Sequence, residues 1–148
     1  MRVAIACDHA GFLLKDEIIS TVRAAGHEVI DLGTHSTDAV DYPDFTGKAC
    51  RAVLHGEAER AIVICGSGVG ASIAANKFKG IYAGLCHDTY SAHQGVEHDN
   101  MNVLCLGSRI IGAELAKEIV RSFLSATFSG EERHARRFGK VQAIEKEN

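Results

Sequence analysis

The feature that most restricts the fold of this chain is a regular alternation of short apolar runs with longer helical segments. Five runs rich in Val, Ile, Leu, Ala and Cys have the length and composition of buried strands: 3–7, 28–32, 61–65, 81–86 and 102–107. Segments with helical spacing or composition lie between or after them: 12–25, 44–55, 71–77, 89–95, 112–126 and 130–146. Parallel neighbouring strands need crossover connections, so this order predicts an α/β chain with a five-stranded parallel sheet covered on both faces.

The length and charge of the chain limit its organisation and its partners. With 148 residues, of which 46% are hydrophobic, the chain is long enough for one full core, and we expect a single domain over residues 1–148. A formal net charge of −3 gives no global reason to expect nucleic acid or an anionic membrane as a partner. Any anion must therefore be bound by a local feature.

The cysteines and the apolar runs predict a cytoplasmic protein. The five cysteines are odd in number and show no CxxC spacing, which indicates reduced thiols. The acidic residue at position 8 comes too early for the apolar region of a signal peptide, and no apolar run approaches about 18 residues. We therefore expect neither export nor membrane insertion.

The turn between the third apolar run and the helical segment behind it is the clearest candidate for a binding site. Glycines 66, 68 and 70 let the backbone approach a ligand, and the first N–H groups of the following helix can hold an anion. Two other interpretations remain open. The glycines can serve close packing alone, or they can bind a dinucleotide, with Asp88 about 20 residues on as the ribose ligand.

Cys65 stands directly before this turn, at the carboxyl end of a predicted strand. Buried strand cysteines are usually inert, but a helix N-terminus favours the thiolate form of a neighbouring cysteine. Ser67 and the N–H groups of the turn would then stabilise the oxyanion that a base at Cys65 creates. We predict that Cys65 is catalytic.

Other candidates follow from position and spacing. Asp8 and His9 follow the first strand, where Asp8 can also cap a helix. His98 lies in a polar stretch that we place between a helix and a strand, with a plain surface loop as the alternative. Arg133 and Arg137 share a face if the tail is helical, so they can clamp a phosphate, although such a tail can also be simply solvated. The histidines show neither HxxxH nor HExxH spacing, so we predict no metal site.

Together these motifs identify a resemblance that runs over nearly the whole chain, in order. The motifs are Asp8-His9, Asp41-Tyr42-Pro43, Cys65 to Gly70 with 72–78 behind it, His98, Asn102-Val103-Leu104, Gly107-Ser108-Arg109, and Arg133-His134 with Arg137. This combination resembles ribose-5-phosphate isomerase type B, in the group that includes galactose-6-phosphate isomerase subunits. The resemblance implies a Rossmann-like three-layer α/β/α sandwich without metal or organic cofactor. It also implies a homodimer or tetramer with shared active sites, in which the C-terminal helix, about 130–146, packs on a partner subunit.

The resemblance also implies roles for single residues in interconverting ribose 5-phosphate and ribulose 5-phosphate. Cys65 would move the proton between the two sugar carbons, while His98, assisted by Asp8, would open the ring. The remaining residues would hold the enediolate, line the pocket or bind phosphate: Ser67, Gly66, Gly68, Val69, Gly70, Tyr42, His9, Asp99, Arg109, Arg133 and Arg137.

Two positions depart from the common pattern of the family. Asp99 follows His98 where many members have Asn, and Ser67 replaces a common Thr. Asp99 adds a negative charge near sugar hydroxyls, so isomerisation of a six-carbon phosphate such as allose or galactose 6-phosphate stays open. A non-catalytic sugar-phosphate-binding protein is the alternative from another class.

Overall fold

The computed structural model describes all 148 residues, which form five strands and six helices. In chain order the elements are β1 Arg2–Cys7, α1 Phe12–Ala24, β2 Glu28–Asp31, α2 Tyr42–Leu54, β3 Arg60–Cys65, α3 Val69–Ala75, β4 Ala83–Leu85, α4 Thr89–Asp99, β5 Val103–Gly107, α5 Ala113–Ser125 and α6 Glu132–Lys146. All strand pairs are parallel, in the order β2-β1-β3-β5-β4. The predicted α/β fold with a five-stranded parallel sheet is confirmed.

Alternating side chains of the strands fill two separate cores, one on each face of the sheet. On one face, large residues of β1, β3 and β5 such as Ile5, Ile62 and Leu104 pack with α1, α4 and α5. On the other face, smaller residues such as Ala4 and Ala6 pack with α2 and α3. The small side chains allow helices to lie close to the sheet, and together the layers form the three-layer sandwich.

The strand order creates a crevice at the carboxyl ends of β1 and β3. The chain leaves β1 toward β2 at one edge of the sheet and leaves β3 toward β5 and β4 at the other, so the two central strands flank a topological switch point. The loops meet closely there, because Asp8 donates its backbone N–H to the carbonyl of Ile64 at 3.2 Å. Ligands of open parallel sheets bind at such a crevice.

Among the element boundaries that differ from the sequence prediction, those of α4 and β4 have identifiable reasons. The helix expected to end near residue 95 continues to Asp99, because Asn100 adopts the left-handed conformation (φ 54°) that closes a helix. His98 and Asp99 therefore lie on the last turn of α4 and not in a connecting segment. The strand expected over 81–86 is only Ala83–Leu85, because the side chain of Asn102 accepts the N–H of Tyr82 at 2.8 Å in place of a strand partner.

Two smaller observations complete the fold. Helix α2 begins at Tyr42, two residues before the predicted start, since Pro43 is tolerated in the first turn of a helix. None of the helices combines the length and the apolar character needed to cross a membrane.

Gly11 is required by the close approach of the two central strands, and we predict that Gly11→Ala destabilises the fold. A Cβ atom at this position would lie 2.2 Å from the carbonyl oxygen of Ile64, which is backbone and cannot move aside cheaply. The free energy of unfolding should fall by about 3 kcal/mol, measured by denaturant titration at fixed chain concentration. The matched control is Gly139→Ala in α6, where no atom lies within 4 Å, and an equal loss in both variants would contradict the prediction.

Candidate active site

Hydrogen bonds join the loops that follow β1, β3 and β5 into one unit. Ser108 donates its backbone N–H to the Cys65 carbonyl at 2.9 Å and its hydroxyl to the Ala10 carbonyl at 2.7 Å. Arg109 donates its backbone N–H to the Gly66 carbonyl at 3.0 Å. The side chains that these loops carry are therefore held in fixed relative positions.

A cleft of about 330 Å³ opens between these loops and the start of α2. Its lining residues come from all three loops and from α2: Asp8, Tyr42, Cys65, Gly66, Ser67, Gly70, Arg109 and Ile110. Only Ile110 was not singled out by the sequence analysis. The structure thus brings together, in one chain, the predicted base, the glycine turn and Arg109.

Cys65 lines the cleft, although its side chain is almost fully buried. The residue is 4% exposed, and its sulfur accepts the N–H of Gly68 at 3.1 Å. Gly68 adopts φ +80°, and a Cβ atom there would lie 2.5 Å from the Leu85 side chain, so glycine is needed to form this contact. A hydrogen bond from a backbone N–H stabilises negative charge on sulfur.

The other cysteines lie in surroundings that favour the neutral thiol. Burial raises the pKa of Cys7, Cys50 and Cys86 to about 11. Burial likewise raises the pKa of Cys105. None of these four residues lines the cleft that contains Cys65.

Beside the sulfur, the glycine turn presents backbone donors that the chain does not use. The N–H groups of Gly66, Ser67 and Gly70 donate to no acceptor within the chain, whereas Gly68 donates to the sulfur and Val69 donates to the Ser67 hydroxyl at 3.2 Å. The three unused groups belong to residues that line the cleft. Unused N–H groups at the start of a helix are suited to an oxyanion.

Asp8 shapes the turn before α1 and does not cap the helix itself, because the cap position is Gly11, where no side-chain capping hydrogen bond forms. Its Oδ1 atom accepts the N–H groups of Ala10 and Gly11, at 2.9 and 3.0 Å, and so shapes the turn into α1. Its Oδ2 atom receives no hydrogen bond from the chain. The carboxylate lines the cleft, where that oxygen can bind a hydroxyl group.

A second cavity of about 450 Å³ adjoins the cleft, and Arg109 lines both. His9 lines this second cavity, close to the first residues of α1 and α5. The N–H of Val40 donates to His9 Nδ1 at 3.2 Å, so a neutral His9 carries its proton on Nε2 and can donate it. A guanidinium, an imidazole donor and two helix N-termini are a suitable environment for a phosphate.

Four predicted site residues lie elsewhere, on a surface formed by α4 and α6 that we call the α4–α6 face: His98, Asp99, Arg133 and Arg137. None of them lines the cleft. Arg133 pairs with Glu131 at 2.8 Å, and Arg137 has no acidic partner in the chain. The predicted residues therefore form two groups that a single chain does not bring together.

His134 belongs to the α4–α6 face and received no role from the sequence. Its ring stacks on that of His98 with centroids 4.0 Å apart, and its Nδ1 lies 2.6 Å from the Ser129 hydroxyl. The pKa of His134 is lowered by burial, and also by the nearby His98 and Arg133. The available signal was its spacing of four and seven residues from Phe138 and Val141, which places it on the apolar side of the helix.

The structure gives Asp88 a different task from the one that a dinucleotide site would require. Its side chain accepts the N–H of Ser91 at 2.6 Å and caps α4. This hydrogen bond lowers the pKa of Asp88 and stabilises its carboxylate. A dinucleotide site at the glycine turn would therefore lack the acidic residue that binds the ribose. No three His, Cys, Asp or Glu side chains converge in a way that could hold a metal ion.

Comparison with known proteins gives matches over almost the whole chain. Residues 3–141 match the model of a protein family described as Ribose/Galactose Isomerase. The chain is similar to ribose-5-phosphate isomerase B of Escherichia coli, with 48% identity over 144 residues, 97% of this chain and 96% of that relative. It is also similar to the solved structure of ribose-5-phosphate isomerase B of Clostridium thermocellum, with a TM-score of 0.96, 50% identity and 99% of each chain covered.

A further solved structure, ribose-5-phosphate isomerase B of Mycoplasma genitalium, contains bound ribulose 5-phosphate. This chain is 41% identical to it with a TM-score of 0.92, and 99% of this chain and 97% of that chain are covered.

We predict that Cys65 is the cysteine most reactive toward an alkylating reagent. Its sulfur borders a cleft, whereas burial raises the pKa of Cys7, Cys50 and Cys86 to about 11. Brief treatment of the native protein with iodoacetamide at neutral pH, followed by peptide mass spectrometry, should find the label first on Cys65. The four other cysteines are the internal control, and equal labelling of all five would contradict the prediction.

Proposed function

Since the chain belongs to the ribose/galactose isomerase family, we propose that it interconverts D-ribose 5-phosphate and D-ribulose 5-phosphate without a cofactor. The observation that carries this proposal is one cleft that contains both the Cys65 sulfur and the unused N–H groups of Gly66, Ser67 and Gly70. An isomerase of this class needs a base that removes a proton from a sugar carbon. It also needs hydrogen-bond donors that stabilise the negative charge that then develops on the carbonyl oxygen of the neighbouring carbon.

Cys65 is the base in this proposal. Its thiolate removes the proton from C2 of the open-chain aldose, the electrons of that C–H bond form the C1–C2 double bond, and the carbonyl electron pair moves to O1. The same thiol then returns a proton to C1, while the proton of the C2 hydroxyl passes to O1. The sum of these transfers is the ketose, with no net gain or loss of protons. The Gly68 N–H that donates to the sulfur stabilises the thiolate before the first transfer and after the second.

The glycine turn holds the enediolate. Negative charge on O1 develops as the proton leaves, so donors already fixed in place stabilise the transition state more than the substrate. The Ser67 hydroxyl accepts the N–H of Val69, which leaves its own proton available for a sugar oxygen. These donors need no rearrangement when the charge appears.

Ring opening requires groups from both sets of residues. The unused Oδ2 of Asp8 can bind a sugar hydroxyl in the cleft. His98, which we propose as the residue that moves the ring-opening proton, lies on the α4–α6 face, and its Nδ1 is 3.1 Å from the Gln94 amide. The contact with Gln94 leaves the other ring nitrogen free to exchange a proton.

We propose that a second copy of the chain supplies the residues of the α4–α6 face. A two-fold dimer places the same surfaces of both copies against each other, so His98, Arg133 and Arg137 of one copy can complete the cleft of the other. Apolar side chains beside the cleft support this arrangement, since Tyr42, Val69 and Ile73 are 39%, 47% and 58% exposed. The C-terminal helix then packs on the partner subunit, and Asp99 lies near the sugar.

Phosphate would bind where the two sets of residues meet. His9 and Arg109 line the second cavity of their own chain. Arg137 lacks an acidic partner, so its guanidinium is available to a phosphate of a neighbouring subunit. We place the enzyme in the cytoplasm, because all five cysteines are free and thiols persist in a reducing compartment.

Replacing the base tests the chemical step. Cys65→Ala should lower kcat for ribose 5-phosphate by about 10²- to 10⁴-fold, the usual contribution of a positioned base. In deuterium oxide the parental enzyme should place solvent deuterium in the product, and the variant should not. Cys50→Ala, a buried cysteine on α2, is the matched control and should stay near the parental rate. Near-parental turnover by Cys65→Ala would remove the thiol from the mechanism.

Mixing two inactive variants tests whether the active site is shared between copies. Arg137→Ala should raise KM strongly, so that it and Cys65→Ala are both nearly inactive at low substrate concentration. If Arg137 acts on the partner's cleft, each mixed dimer has one intact site, and random pairing restores about a quarter of all sites. Activity is assayed after the two variants are unfolded and refolded together. No recovery in the mixture would show that Arg137 serves its own chain.

A further inference from the structure

Lys15 is a buried cation that the proposed reaction does not use. It is 2% exposed, which is rare for lysine unless the charge is paired. Its Nζ lies 3.1 Å from each carboxylate oxygen of Asp31, 2.7 Å from the Thr34 carbonyl and 3.2 Å from His35 Nδ1. The three hydrogens of the ammonium group therefore have one partner each.

All three partners belong to the end of β2 or to the segment 32–41, which we call the β2–α2 loop. Residues 35–39 of this loop are exposed to solvent. Between residue 35 and the start of α2, three hydrogen bonds connect the loop to other parts of the chain. The Asp41 carbonyl accepts the N–H of Asp44 in the first turn of α2, and only two bonds reach more distant residues: His35 Nδ1 with Lys15, and the Val40 N–H with His9 Nδ1. A loop held so sparsely depends on each of its anchors.

The second of these hydrogen bonds reaches the candidate phosphate site. Since Val40 can only donate, His9 Nδ1 must accept, and the proton of a neutral His9 ring is fixed on Nε2. His9 and Arg109 line the same cavity. The loop also leads directly into Tyr42, which lines the cleft at the first residue of α2.

We propose that Lys15 is a positioning residue for phosphate binding. Its buried ammonium group anchors the near end of the β2–α2 loop, and the loop holds the His9 ring through Val40 with the proton on Nε2. The effect on substrate affinity rests on the proposed function, whereas the effect on the His9 ring does not. If Lys15 only stabilised the fold, its replacement would change neither the affinity for substrate nor the position of the proton on the His9 ring.

The kinetic test uses Lys15→Met, which keeps an unbranched but slightly shorter side chain and removes the charge. KM for ribose 5-phosphate should rise about tenfold, the effect of losing one good hydrogen bond, with kcat within about twofold of the parent. In a His9→Ala background the same substitution should leave KM unchanged, because the contact that it disturbs is already gone. An equal rise in KM in both backgrounds would overturn the proposal.

Two further variants separate positioning from general destabilisation. Lys15→Met combined with Asp31→Asn removes both charges of the pair, so it avoids an unpaired carboxylate while the loop still lacks its anchor. It should show the same rise in KM. Lys117→Met removes another ion pair of α1, that with Glu17 at 3.0 Å, without touching the loop, and KM should not change.

The test that needs no activity is nuclear magnetic resonance of protein labelled with ¹⁵N in its histidines. The His9 signals, assigned from their loss in His9→Ala, should show the proton on Nε2 in the parent and a mixture of both forms in Lys15→Met. An unchanged His9 ring in Lys15→Met overturns the proposal whatever the enzyme acts on. A parent that does not turn over ribose 5-phosphate, together with a changed His9 ring, would instead refute only the proposed function.

Discussion

The parallel pairing of β1 with β3 is the constraint on which the rest of the structure depends. The chain leaves these two neighbours in opposite directions, so their carboxyl ends open a crevice between helices on opposite faces of the sheet. Gly11 allows the first loop to lie against Ile64, and Ser108 ties the loop after β5 to both. Asp8, Cys65 and Arg109 come from distant parts of the sequence and share one cleft because of this pairing.

Burial alone does not distinguish the proposed base from the other cysteines, since all five are buried and free. The difference is the backbone around the sulfur. The strand ends at Cys65, the left-handed Gly68 turns its N–H to the sulfur, and three further N–H groups stay unused beside it. A thiol in an apolar core is disfavoured as an anion, whereas a thiol that accepts a backbone N–H at the edge of a cleft is suited to act as a base.

The two groups of predicted residues explain why a single chain looks incomplete as a catalyst. The cleft carries the proposed base, the oxyanion donors and Arg109. The stacked histidine pair and the arginines lie on the α4–α6 face, where Arg137 has no partner of its own. In a dimer with a two-fold axis, each of the two clefts would receive the residues of the α4–α6 face from the other copy. Lys15 acts on the site indirectly, because it anchors the β2–α2 loop, and Val40 of that loop donates a hydrogen bond to the His9 ring.

The sequence by itself determined the alternation of strands and helices, the glycine turn and the position of Cys65 beside it. These features depend on composition, periodicity and neighbours in the chain, which are local properties. The end of α4 at Asn100, the capping role of Asp88, the stacking of His134 on His98 and the burial of Lys15 were decided only by the tertiary structure. Each of them depends on a rare backbone conformation or on partners far away in the sequence, and the free energy of such contacts appears only when the chain has folded.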